Sequence, residues 1–249
     1  MRLTTPQFAV LVSTVVLMLS GAQAATVYDA VSDFSGTSNS QTDTWSYRTS
    51  TSLAHDGNYT LLPRFGPFAG FSGPAASTAG WSAGFVPAIG VNRSGADQYF
   101  IGFGPGAQFT WPAGTLYLHP GSASLALVSW LSPGAFSLNI SFQFSDLDAN
   151  VNFRDGIDWS VEKNSGSGAW ANGAFANGGN GGPLSVSNVL VAAGDRINFI
   201  VGTNGDYQGD SSRLSAVITA TPVPEPSTSA LWLAGGAFLV AAARRHRVR

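Results

Sequence analysis

The sequence predicts an all-β protein: an antiparallel β-sandwich of jelly-roll type, with a signal helix before it and a hydrophobic helix after it. Three observations carry this. Apolar and polar residues alternate through several short segments of the second half, the spacing of strands with one buried and one wet face. Turn residues punctuate those segments, with 30 glycines and 13 prolines in 249 residues. No amphipathic helical period runs between Ala25 and Pro222.

In chain order, residues 1–24 read as a secretory signal peptide. Met1-Arg2 supplies the positive start, Phe8 to Leu19 a compact apolar core, and Ala22-Gln23-Ala24 the small residues of a cleavage site between Ala24 and Ala25. An uncleaved anchor fits less well, because that core is short and no stop-transfer pattern follows.

Residues 25–221 form the predicted ectodomain. "QTDTWSYRTS" and "NYTLLPRFG" read as strands, and the Gly/Ala/Pro-rich stretch 68–92 reads as a long irregular excursion. The later pattern is cleaner. In "AFSLNISFQFSD", Phe136, Leu138, Ile140, Phe142 and Phe144 alternate without a break against polar neighbours. "GIDWSVEK" sets Ile157, Trp159 and Val161 on one side, and "DRINFIVG" does so with Ile197, Phe199 and Val201. "ASLALVSWLSP" and "SRLSAVITA" are further strands bounded by turn residues. Strands at this spacing favour a single sandwich; a division into two domains near Pro112–Gly114 is the alternative.

Composition narrows the function classes. With 44% hydrophobic and 10% charged residues, the body has enough apolar surface to fold around a core. It holds no cysteine, so in an oxidising compartment it gains nothing from disulfides. The whole chain carries a formal charge of −2, but five of its twelve basic residues lie in the two ends. Between Asp29 and Glu225 seven basic side chains face fourteen acidic ones, a net −7. Such a surface repels nucleic-acid phosphates and suits divalent cations or neutral glycans.

Residues 222–249 are of a different kind. Pro224 and Pro226 hold the backbone extended and keep Val223 and Glu225 out of the helical region. Ser227 or Thr228 can cap a helix just beyond. Leu231 to Ala243 would run about 20 Å as a helix against roughly 30 Å of hydrocarbon, a short span that arginine snorkelling extends. Arg244, Arg245, Arg247 and Arg249 would stay cytoplasmic by the positive-inside rule.

The string "VPEPSTSALWLAGGAFLVAAARRHRVR" resembles the tripartite PEP-CTERM sorting signal: a Pro-Glu-Pro box, an apolar helix and an arginine-rich end. The resemblance implies that Pro224, Glu225 and Pro226 form the recognition box read by an exosortase, a membrane-embedded transpeptidase-like enzyme. The apolar run would be the transient membrane anchor and the four arginines the retention charge. It also implies export from a Gram-negative bacterium that makes exopolysaccharide, with this chain as the substrate of processing. A plain C-terminal anchor is the blander alternative. The stretch from Pro112 to Ala220, through "LHPG", "VSWLSP", "FQFSDLDAN" and "RDGIDWSVEKN", is similar to a β-sandwich of secreted PEP-CTERM proteins, itself like carbohydrate-binding jelly rolls.

Two groups of residues are candidates for ligand chemistry. Asp146, Asp148, Asp155 and Asp158 gather around one strand connection, and if those strands pair they offer hard oxygen ligands for Ca²⁺. Asp206 and Asp210 in "GTNGDYQGDSS" offer the same. Ordinary turn chemistry accounts for all six as well. Trp81, Trp170 and Tyr207 lie among small and polar residues, where a flat ring can stack on a sugar; partial burial explains them equally.

Catalytic signals are thin. The body has two histidines, His55 and His119, both in turn-like settings; no nucleophile elbow or zinc-protease motif occurs; and Glu162 is its one glutamate before the tail box. The sequence therefore predicts a non-catalytic, exported β-sandwich at the cell surface or in the extracellular polysaccharide matrix, with no certain cofactor. A glycan-active jelly-roll enzyme and a purely structural surface protein are the competing readings.

Overall fold

A computed structural model describes residues 24–72, 75–101, 108–148, 155–164 and 168–223. The signal segment and its Ala24–Ala25 junction lie at or beyond that limit, and the Pro-Glu-Pro box, hydrophobic segment and arginines lie outside it. Ala24–Val223 is one compact unit.

Sixteen strands are described: β1 (Thr26–Asp29), β2 (Trp45–Ser50), β3 (Tyr59–Leu61), β4 (Arg64–Pro67), β5 (Ala79–Ser82), β6 (Ala88–Val91), β7 (Gln98–Ile101), β8 (Gln108–Trp111), β9 (Leu116–His119), β10 (Ala126–Leu131), β11 (Phe136–Asp146), β12 (Ile157–Lys163), β13 (Ala169–Phe175), β14 (Leu184–Val191), β15 (Arg196–Thr203) and β16 (Ser212–Pro222). The only helix among the described residues is a four-residue 3₁₀ turn, Ala75–Thr78. No helix among them is long and apolar enough to cross a membrane.

The strands form two large antiparallel sheets and a separate two-stranded one, β7-β8. The first runs β14-β11-β16-β9-β6-β5-β4, and the second runs β13-β12-β15-β10-β2-β3. β16 is long enough to share one edge between two partners: Ser212–Leu214 pairs with β9, and Val217–Ala220 pairs with β1. The inward residues of both sheets meet in one core. Leu138, Ile140, Phe142 and Phe144 of β11 pack there with Trp130 of β10, Ile157, Trp159 and Val161 of β12, and Phe199 of β15. Phe142 sits at the centre, its ring 6.0 Å from Trp159 and 6.1 Å from Phe199. Burying each such side chain contributes about 1.5–3 kcal/mol. The strict alternation of the sequence is thus the pleat of a sandwich.

The stretch 68–92 is more ordered than its composition predicts. It contains the 3₁₀ turn, β5 and β6, with Gly80 directly opposite Gly90. A Cβ on Gly80 would come within 2.5 Å of the Phe68 ring, and one on Gly90 within 2.9 Å. The two glycines make room for an aromatic ring to lie on the bare backbone. Phe68 belongs to a separate apolar cluster in which Phe71, Phe100, Phe109, Trp111 and Tyr117 pack with the β7–β8 hairpin.

β11 and β12, consecutive in sequence, do not pair. β11 lies between β14 and β16 in the first sheet, while β12 lies between β13 and β15 in the second. The two strands thus lie in opposite sheets, which decides where the acidic residues end up.

Candidate functional site

On β12, Ile157, Trp159 and Val161 point into the core, so Asp158, Ser160 and Glu162 occupy the outer face of the second sheet. The loop joining β2 to β3 brings His55 over that face. Together they line a cleft of about 450 Å³ with Trp159, Gly168, Ala169, Asn172 and Gly173. Gly173, directly opposite Trp159, makes room for the indole: a Cβ there would stand 2.9 Å from the Trp159 ring.

Polar groups in the cleft are held by a network across the sheet. Glu162 is 1% exposed; its Oε1 accepts from Asn198 Nδ2 at 3.3 Å, and Asn198 Oδ1 accepts from Ser129 Oγ at 2.6 Å. Glu162 Oε2 lies 3.9 Å from His55 Nδ1. That carboxylate raises the His55 imidazole above its ordinary value, against the opposing effect of burial. Asp158 leans across to β15, where a Cβ on Gly202 would collide with its carboxylate. Burial pushes the Asp158 carboxyl up, and its Oδ1 is buried without a hydrogen-bond partner.

The serine and the carboxylate of the cleft meet the same edge of the His55 ring. Ser160 Oγ stands 3.3 Å from His55 Nδ1, the same nitrogen that faces Glu162. A nucleophile relay needs serine and carboxylate on opposite ring nitrogens. Glu162 and Asp158, two positions apart on the same face of β12, both act on the His55 imidazole and raise it. The cleft gathers hydrogen-bond acceptors and donors on one face of the second sheet.

The sequence-predicted aromatics lie elsewhere. Trp81 packs against the core, stacked on Tyr47 and edge-on to Phe65, with its Nε1 donating to the Ser35 carbonyl at 2.8 Å. Trp170 on β13 also packs against the core, partly buried. Tyr207 sits edge-on to His119, 6.4 Å between ring centroids. The three do not share a surface in the cleft.

The four aspartates of the β11–β12 connection are divided. Asp146 and Asp148 stay with the end of β11, while Asp158 belongs to the cleft. Asp155 accepts the Asp206 backbone N–H at 3.1 Å. Asp210, from the far loop, joins Asp146 and Asp148 because β16 pairs with β11 in the register Asp146↔Ser212. Burial pushes all three carboxyls up: Asp148 to about 6, Asp146 to about 8 and Asp210 to about 9. Among the described residues, no group of three or more His, Asp or Glu side chains is already arranged to hold a metal ion.

Of the cleft residues, the sequence offers Asp158 as a metal ligand or a turn residue, His55 as a turn residue and Glu162 as a strand residue. The outward alternation of Asp158, Ser160 and Glu162 was the available signal. Nothing local announced that a loop 100 residues earlier would cover them.

An all-β, antiparallel sandwich is the class these features define. Residues 222–247 match the PEP-CTERM protein-sorting motif, so the chain is an exported protein sorted by an exosortase. No curated protein matches the sequence. Among solved structures the chain is similar to a Podospora anserina GH26-CBM35 β-(1,4)-mannanase, at 15% identity and a TM-score of 0.27. That likeness covers 56% of this chain and 28% of the mannanase, too slight to carry anything about ligand or activity.

Proposed function

We propose that this protein is a non-catalytic, glycan-associating component of the cell surface or extracellular polysaccharide matrix, and that the cleft beneath His55 is where it holds sugar. On this reading the tail anchors the chain transiently in the membrane of a Gram-negative bacterium until the exosortase removes it. One observation supports the sugar site most: a cleft of about 450 Å³ lined by His55, Asp158, Ser160, Glu162 and Asn172. That volume suits a small ligand. A carboxylate accepts from vicinal hydroxyls, and an asparagine amide both donates and accepts.

The test is affinity electrophoresis through gels cast with the exopolysaccharide of the producing strain and with neutral β-glucans and mannans. The proposal expects retardation by at least one polymer, weakened tenfold or more by Asp158→Ala combined with Asn172→Ala. Retardation by none, or retardation unchanged in that variant, would refute it. A glycan-active enzyme is the second reading, favoured by three titratable groups sharing one cleft; release of reducing ends from the retarding polymer, lost in Glu162→Gln, would establish it instead.

A further inference from the structure

Apart from the cleft, the described residues contain one concentration of buried charge that the sugar reading leaves unused. It lies where the ends of β11 and β16 meet the loop between β15 and β16. Asp146, Asp148 and Asp210 are 7%, 2% and 0% exposed. Asp146 Oδ1 accepts the Asp148 N–H at 2.7 Å, and Asp148 Oδ2 accepts the Ser211 N–H at 2.8 Å. Asp146 Oδ2 and both carboxylate oxygens of Asp210 are buried with no hydrogen-bond partner. Asp210 is surrounded by like charge: Asp146, Asp155, Asp148 and Asp206 all act on it, and no basic side chain is among the groups that do. Arg213, close in sequence, turns its guanidinium to Ser145 Oγ at 3.4 Å.

Buried carboxylate oxygens without partners are rare and costly in a folded protein. Two remedies exist. Either the groups are held as neutral acids, each with a hydroxyl that itself needs an acceptor, or a cation sits among them. The ends of the cluster are well fixed by backbone bonds, Leu147 N–H to the Ser211 carbonyl at 2.7 Å and Asp146 N–H to the Gly179 carbonyl at 2.9 Å. A site with such walls requires little reorganisation to be filled.

We propose that Asp146 and Asp210 are direct ligands of a hard divalent cation, best matched by Ca²⁺, with the Asp148 carboxylate adding charge from behind. The donors are oxygen only, which fits calcium and disfavours zinc. Three carboxylates do not already converge on one point, so the coordination is completed by loop carbonyls and water, as calcium's six to eight flexible positions allow. Magnesium demands a tighter octahedron and keeps its own water. This set joins Asp146 and Asp148 of one sequence-predicted group to Asp210 of the other, and leaves out Asp155, Asp158 and Asp206. It stands independently of the sugar site.

The experiment uses the full-length chain in detergent, stripped over a chelating resin, in thermal melts and calorimetric titrations with CaCl₂ and MgCl₂. The expected result is a Tm rise of roughly 5 °C or more in 1 mM Ca²⁺, with a much smaller rise in Mg²⁺. Asp210→Asn should lose the calcium response while melting no lower than the stripped wild type, because a buried unpaired charge has gone. Asp146→Asn should lose the same response, and serves if the first variant fails to fold. No heat and no Tm rise in the wild type, or an equal rise in both variants, would overturn the proposal and leave Asp210 a buried neutral acid.

Discussion

Replacing Glu162 separates the two tasks its carboxylate performs beneath His55. One task is structural: Oε1 is the acceptor for Asn198 Nδ2, a side chain with no solvent exposure that is also tied to Ser129. Glu162→Ala leaves that amide without its acceptor, a cost of about 1–3 kcal/mol. Glu162→Gln keeps an acceptor in place and should cost less than about 1 kcal/mol. The other task is electrostatic. Glu162 is the main reason the His55 imidazole is raised above its ordinary value, while burial pulls the other way. With glutamine in its place burial dominates, and His55 should titrate at or below the usual histidine range. The sign follows from linkage: a raised folded-state value adds stability that is present below the unfolded pKa of about 6.5 and lost as pH rises through the folded value. Wild type should therefore lose a little stability across neutral pH that Glu162→Gln does not. NMR titration of the His55 ring gives the midpoints, and urea unfolding at pH 5.5 and 8 gives the stabilities. A His55 midpoint unchanged in Glu162→Gln, or equal destabilisation by both variants, would refute this account of the network.

Other outcomes follow from the same geometry. Burial lowers the His119 imidazole to about 4, so its contribution is present above about pH 6.5 and lost as pH falls toward 4; relative to His119→Gln, the wild type should lose up to about 3 kcal/mol over that window in urea unfolding. Phe142→Ala empties the centre of the sandwich and should cost about 3–5 kcal/mol by the same method. A Cβ at Gly80 would lie 2.2 Å from the Ile89 carbonyl oxygen, whereas one at Gly66 meets nothing within 4 Å. Gly80→Ala should therefore lower stability by about 1–3 kcal/mol and Gly66→Ala should leave Tm nearly unchanged in a thermal melt.

The second half of the fold was legible in the sequence because β11 and β16 each alternate buried with more exposed positions, while β12 and β15, covered on both faces, still keep their large apolar residues on the core side. The first half was not. β5 and β6 are four residues long and face each other through Gly80 and Gly90, whose missing side chains erase the period that the strands would otherwise show. The aspartates misled for a topological reason. Asp146 and Asp158 are twelve residues apart, yet β11 and β12 belong to opposite sheets. Asp210, more than sixty residues away, lies beside Asp146 because strand pairing joins distant segments. The sorting tail was readable without any fold, since its three parts are recognised in linear order.

Everything said of the sandwich as an extracellular protein depends on its leaving the cell without its two ends. The decisive measurement is the intact mass of the protein recovered from outside the cell, with and without deletion of Arg244–Arg249. A mass beginning at Ala25 and ending close to the Pro224–Pro226 box, bare or with an added group, is the expected result, and the deletion should abolish it. A chain that keeps Arg249 and stays with the membrane would show that the tail is only an anchor, and would contradict the route to the surface described here.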